Sequence, residues 1–395
     1  MASQPSPSSI PQADLDDLRN RLSRTRWPDA QPVDDWSQGA PLHKVQKLTG
    51  YWCDRYDWRR CESMLNSWNP SHTTIDGVDV HFFHLRSPEP DALPLIITHG
   101  WPGSIIEFHK VVAALTNPVA FGGSAADAFH LVLPCLPGYG FSGKPQESGW
   151  SLGRIASAWI ELMDRLGYGN RWAAQGGDWG AQVTAAVGSA HPKGCIGIHL
   201  NGLAWKPTLA EIETADEQER ALLKRGHYYE ENLSGYNKEQ STRPQTLGYA
   251  LADSPAGQAA WIYEKLHDWT DNDGSPEDLF TFDEMLDNIM LYWLPNAGAS
   301  SARRYWENAR NAPDYGPVDM PLAFSAFPRD IGGLSRRWAE RRFKNIVRWT
   351  EVAKGGHFAA FEQPELFVNK VRAGFQTIRD LVTEGVPTES GRVHR

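Results

Sequence analysis

Between residues 94 and 200 the chain alternates short apolar runs with longer segments whose apolar positions recur every three or four residues. The runs at 94–98, 129–133, 172–175 and 195–200 have the length and composition of buried strands. Between them, Ile105, Phe108, Val112 and Leu115 predict one helical stretch. Ile155, Trp159, Leu162 and Leu166 predict a second, and residues 179–190 a third. This strand–helix rhythm implies a mostly parallel sheet with helices on both faces. It returns at 321–327 and 345–352, and a further helix follows Pro364. The stretch from 202 to 311 is polar, helical and aromatic with no clear strand, and reads as an inserted helical domain.

The first ninety residues carry a different pattern. Pro11 can open a helix that places Leu15, Leu18 and Leu22 on one face and stops near Pro28. Val45, Leu48 and Trp52 mark a second helix. Residues 73–85 read as a hairpin turning at Asp76-Gly77, with Val78, Val80 and Phe82 alternating. The expected division is an N-terminal extension (1–90), a first core segment (91–201), a helical lid (202–311), a second core segment (312–385) and a frayed tail (386–395).

Composition narrows the partners. Across 395 residues the net charge is −9, which argues against a nucleic-acid footprint or an anionic-membrane partner. Seventeen Trp and 27 Pro suggest aromatic-walled cavities joined by ordered loops. No apolar run reaches the ~18 residues of a spanning helix. The N-terminus has neither a basic nor an apolar region, so no signal peptide or membrane anchor is expected. Cys53, Cys61, Cys135 and Cys195 form no Cys-x-x-Cys pair, and no His pair has zinc-finger spacing. All four read as reduced thiols of a cytoplasmic protein with no metal and no cofactor. A homodimer is compatible with the sequence, which does not set the oligomeric state.

Three motifs suggest chemistry that their context does not support. Gly138-Tyr-Gly-Phe-Ser-Gly143 matches a dinucleotide fingerprint, but Lys144-Pro145 follows it instead of a helix. Gly149-Trp-Ser-Leu-Gly153 matches the serine-hydrolase elbow but no strand precedes it, so Ser151 reads as a helix N-cap. Gly122-Gly-Ser-Ala-Ala126 comes before a strand rather than after one.

Gly176-Gly-Asp-Trp-Gly180 has the full context of strand, sharp turn and helix, with glycines two before and two after the tip. An Asp at a helix start is often only a cap; the complete context favours a nucleophile, Asp178. A carboxylate there is anionic without a base and suits displacement at saturated carbon. The ester it forms must then be hydrolysed, which calls for a base and an oxyanion hole. Elbow hydrolases run nucleophile, acid, histidine, so His357 in Gly355-Gly-His-Phe358 is the candidate base and Asp330 the candidate acid. Asp314 and Asp319 compete for the acid but precede the strand at 321–327, at the wrong end of the sheet. The backbone N–H groups of Trp101 and Trp179 can form the oxyanion hole, leaving His99 structural.

His99-Gly-Trp-Pro-Gly-Ser104, Gln175-Gly-Gly-Asp-Trp-Gly180, Phe324-Ser-Ala-Phe-Pro328 and Gly355-Gly-His-Phe-Ala-Ala-Phe361 together resemble the epoxide hydrolases of the α/β-hydrolase fold, in their microsomal and fungal branch. Arg26-Trp-Pro28 and Tyr56-Asp-Trp-Arg59 resemble that branch's N-terminal extension. Residues 246–251 and 253–257 resemble its lid, so the likeness spans nearly the whole chain. The resemblance implies Asp178 as nucleophile, His357 as base, Asp330 as relay acid, and two lid tyrosines, Tyr236 and Tyr305, as donors to the epoxide oxygen. Membrane-bound relatives carry an anchor that this sequence lacks, and Asn237-Lys-Glu-Gln240 is more charged than the branch's pattern.

The implied substrate is a small-molecule epoxide, bulky and apolar or aromatic, in either detoxification or natural-product biosynthesis. Three other readings stay open at this level. A haloalkane dehalogenase would also use an elbow aspartate; a serine esterase would use Ser151; and a ligand-binding protein on this fold would turn nothing over. Halide release, labelling of Ser151 and epoxide turnover separate them.

Overall fold

The computed structural model describes residues 3–203, 206–311 and 316–383. The tail at 386–395 and the competing acid Asp314 lie outside these residues. The described strands, β1 (Gln4–Pro5), β2 (Pro70–Ile75), β3 (Val78–Leu85), β4 (Leu93–Thr98), β5 (Phe129–Pro134), β6 (Trp172–Gly176), β7 (Cys195–Leu200), β8 (Leu322–Ala326) and β9 (Ile346–Glu351), form one sheet. Its order is β1-β2-β3-β5-β4-β6-β7-β8-β9. Pairing is antiparallel from β1 through the β3–β5 contact and parallel from β5 onward. This is the α/β-hydrolase fold that the strand–helix rhythm and the resemblance imply.

Every residue of β4 and β5 is buried, as the unbroken apolar runs require of central strands covered on both faces. From β4 the chain crosses to β5 on one side and later to β6 on the other. The carboxyl ends of β4 and β6 therefore flank a topological switch point, where open α/β sheets bind ligands. The helix Leu152–Arg165 buries Leu152, Ile155, Trp159 and Leu162 along one face, and Trp159 Nε1 donates to Thr98 Oγ1 at 3.1 Å. On the other side, Pro364–Thr383 buries Phe367, Val371, Phe375 and Ile378 at helical spacing.

The single helix expected through Ile105 and Leu115 is broken. Ser104 Oγ accepts the Ile106 N–H at 3.2 Å and closes a tight 3₁₀ turn, Ile105–Phe108, and a separate short helix, Val112–Thr116, follows. The extension holds three helices rather than the two expected, Gln12–Ser23, Leu42–Asp54 and Trp58–Ser67. They pack against the lid segment. Tyr56 Oη donates to Asp287 Oδ1 at 2.7 Å, Arg60 pairs with the same carboxylate at 2.7 Å, and Tyr51 Oη donates to Asp283 at 3.0 Å. The segment between β7 and β8 is helical throughout its described elements, and its helices Pro255–Asp268 and Phe282–Trp293 bury Ile262, Tyr263, Leu266, Met285, Ile289 and Met290. Among the described residues no helix is long and apolar enough to cross a membrane.

Candidate active site

Asp178 sits between β6 and the helix Trp179–Ala190 with φ 51° and ψ −127°. This is a costly conformation for a non-glycine residue, and it aims the carboxylate out of the turn. The turn closes only because its flanks lack side chains. A Cβ on Gly176 would lie 2.1 Å from Gly180 O, and one on Gly180 would lie 1.9 Å from Thr98 O. The elbow thus presses the helix start against both β6 and the end of β4, the tight approach that the glycine spacing implied.

Three elements converge on the carboxylate. The Trp101 N–H, just past β4, donates to Asp178 Oδ1 at 2.8 Å. Trp179 is the first residue of the helix, where amides lack intrahelical partners and the helix dipole favours negative charge. His357 Nε2 lies 3.2 Å from Asp178 Oδ2, while His357 Nδ1 bonds Asp330 Oδ1 at 2.6 Å. Burial alone would lower the imidazole's pKa, but its bonds to Asp178 and Asp330 hold it well above the ordinary histidine value. Asp330 follows β8, whereas Asp319 precedes it and is exposed. His99 serves the framework: Nδ1 bonds the Gly100 carbonyl at 2.9 Å, Nε2 accepts the Leu136 N–H at 3.2 Å, and burial lowers its pKa to about 4.

The loop bearing His357 is tied to the lid. The His357 N–H donates to Trp269 O at 2.8 Å, and Asp271 accepts the Gly355 N–H at 2.8 Å. Buried Glu362 accepts three backbone N–H bonds, from Asp271 at 2.9 Å, Gly356 at 2.8 Å and Phe358 at 2.9 Å. Burial outweighs them and lifts its carboxyl to about 7.

Tyr236 and Tyr305 come from the lid helices Gly235–Thr242 and Gly298–Asn311 and are 5% and 3% exposed. The Tyr236 ring stacks on Trp101 with centroids 4.9 Å apart, and Tyr305 meets Trp179 edge-on at 4.8 Å. The two tyrosine rings lie 5.7 Å from each other. Burial, with the Asp178 charge adding to it, keeps both phenols well above their usual pKa and therefore protonated. Asp178, His357, Asp330, Trp101, Trp179, Tyr236 and Tyr305 thus gather around one point.

Sequence reasoning missed Tyr229, whose Oη lies 2.8 Å from Tyr236 Oη. It belongs to a π-helical turn, Tyr229–Leu233, that no residue pattern announces. Glu362 and Glu107 were also missed, because both read as ordinary polar positions of short helices. Ser151 caps Leu152–Arg165 by accepting the Arg154 N–H at 3.3 Å, which fits a cap rather than a nucleophile. The loop 138–143 likewise opens no helix.

Fold and site define a hydrolase of the α/β class with a carboxylate, rather than a serine, at the elbow. Comparison with known proteins narrows this. A family model for the epoxide hydrolase N terminus matches residues 3–108, and one for the alpha/beta hydrolase fold matches 94–236. The chain is 53% identical over 372 residues, 94% of its length and 84% of the relative's, to a protein of Stigmatella aurantiaca named "Putative epoxide hydrolase". It is 34% identical to epoxide hydrolase 1 of Sus scrofa, covering 91% of this chain and 85% of that one. Among solved structures, the Aspergillus niger epoxide hydrolase superposes with TM-score 0.85 at 30% identity, over 96% of this chain and 97% of the other. The chain belongs to the epoxide hydrolase family, and it is an enzyme that hydrolyses small-molecule epoxides.

Proposed function

We propose that the reaction proceeds through a covalent ester on Asp178. Oδ1, held by the Trp101 N–H, becomes the ester carbonyl oxygen. Oδ2 attacks an epoxide carbon as the ring C–O bond breaks, and Tyr236 and Tyr305 donate to the leaving oxygen. An alkoxide needs such donors and a halide does not, so the paired phenols favour an epoxide over a haloalkane. Water activated by His357, oriented by Asp330, then attacks Cγ and releases the vicinal diol. The observation that carries this reading is the strained aspartate at the elbow, with the Trp101 amide at 2.8 Å on one oxygen and His357 at 3.2 Å on the other.

Trp101, Trp179 and Trp269 pack around the tyrosine pair, which supports a bulky apolar or aromatic epoxide. The free thiols of Cys53, Cys61, Cys135 and Cys195 support a reducing compartment such as the cytoplasm. The test uses the His357→Gln variant and a styrene-type epoxide. The peptide containing Asp178 gains the mass of the epoxide in the variant, while the wild type releases diol and no halide from a chloroalkane. An unmodified peptide in the variant overturns the reading.

A further inference from the structure

One carboxyl near the reacting centre has no part in the scheme above. Glu107, in the 3₁₀ turn Ile105–Phe108, lines a cavity of ≈ 10 Å³ together with Asp178, His357, Gln175 and Asn201. Such a cavity has room for about one water. The polar partners a buried water needs are present. Among the described residues Gln175 Oε1 is buried without a hydrogen-bond partner, while Gln175 Nε2 is committed to Asn201 Oδ1 at 2.7 Å. Phe108, Phe358 and Phe367 close the apolar side.

The backbone makes room for this carboxyl. A Cβ on Gly103 would lie 1.4 Å from Glu107 Oε1, and its nearest neighbours would all be atoms of the Glu107 side chain. Gly103 has no positive φ, so its backbone tolerates a side chain and the Glu107 carboxyl is the nearest obstacle to one.

We propose that Glu107 holds the water that cleaves the Asp178 ester, within reach of His357 Nε2. This rests on the covalent reading above. The water's oxygen bonds to Cγ of Asp178 as one of its protons passes to His357 Nε2, and negative charge collects on Oδ1 at the Trp101 N–H. Collapse then breaks the Cγ–Oδ2 bond. Oδ2 leaves with the diol, taking the proton back from His357; the water's oxygen stays in the carboxylate, and its second proton returns to the tyrosine that protonated the leaving oxygen.

Charge ties Glu107 to the stage of the reaction. Burial lifts its carboxyl to about 8; the neighbouring His357 pulls it down, while Asp178 and Glu362 push it up. Esterification removes the Asp178 charge and so favours the ionised, accepting form of Glu107 in the step that needs a water held.

Two variants test this by different routes. Glu107→Gln keeps the shape and removes the charge; Gly103→Ala keeps the carboxyl and displaces it. Each is mixed with excess styrene-type epoxide, quenched on the millisecond scale and weighed by mass spectrometry. Both should form the ester at rates within about threefold of wild type and hydrolyse it at least about tenfold more slowly. The esterified fraction at steady state then rises, and kcat and KM fall together with kcat/KM nearly unchanged. A purely structural role would lower ester formation as well. Wild-type ester fractions in both variants, or slowed alkylation with unchanged hydrolysis, overturn the proposal. Absence of an adduct even in His357→Gln would instead overturn the covalent reading itself.

Discussion

Replacing Tyr305 by Phe removes one hydroxyl and leaves the ring in its edge-on contact with Trp179, at 4.8 Å between centroids. The phenol is 3% exposed, and burial holds it well above its ordinary pKa, so the wild-type group is a protonated donor in a site with little competing water. A hydrogen bond to a charged partner contributes about 1.5–3 kcal/mol, which corresponds to a loss of roughly 10- to 150-fold in alkylation. Tyr236→Phe should cost a similar amount; it removes the hydroxyl 2.8 Å from Tyr229 Oη, which keeps Asn237 as a partner. If both phenols serve one oxygen, the double variant loses less than the sum of the single losses on a free-energy scale. Trp101 and Trp179 pack against these rings, so stopped-flow tryptophan fluorescence under single-turnover conditions can follow alkylation directly. Unchanged thermal unfolding would show that the fold is intact. Wild-type alkylation rates in both single variants would refute the donor assignment.

Glu362→Ala leaves the N–H groups of Asp271, Gly356 and Phe358 without their acceptor, at roughly 1–3 kcal/mol each. Urea unfolding should show a loss of several kcal/mol, and Glu362→Gln should lose less. The pH dependence of stability tests the His357 pairing. Its folded pKa is raised, so its stabilising effect is fully present below about 6.5, the unfolded value, and fades as pH rises through the folded one. The urea-midpoint gap between wild type and His357→Gln should therefore be widest near pH 6 and narrow toward alkaline pH; a gap that widens instead contradicts the pairing.

Much of the fold and of the site is legible in the sequence. Central strands buried on both faces must be apolar throughout, so β4 and β5 announce themselves as unbroken runs. The elbow is legible for a steric reason, since Gly176 and Gly180 stand where any Cβ would strike the Gly180 or Thr98 carbonyl. Asp178, Asp330 and His357 follow β6, β8 and β9 in turn, the nucleophile–acid–histidine order of elbow hydrolases. Tyr236 and Tyr305 needed the family resemblance, because a tyrosine that donates to a substrate has the same local sequence pattern as one that packs. What stayed hidden depends on contacts far apart in the chain. Tyr56 and Arg60 meet Asp287 more than two hundred residues away. Glu107 joins a cavity whose walls come from β4, the elbow, the end of β7 and the His357 loop. The break between Ile105–Phe108 and Val112–Thr116 was missed because the apolar spacing continues across it, although Ser104 closes a separate turn.

The central claim is that an enzyme carboxylate, not water, opens the epoxide, and the fate of one oxygen atom tests it most directly. With enzyme in excess over substrate, a single turnover is run in water enriched in heavy oxygen, and diol and peptides are weighed separately. The account predicts an unlabelled first diol, whose new oxygen is Asp178 Oδ2, and label in the peptide that contains Asp178. A first diol carrying solvent oxygen, with that peptide unlabelled, would mean that water attacked the epoxide directly and would contradict the account.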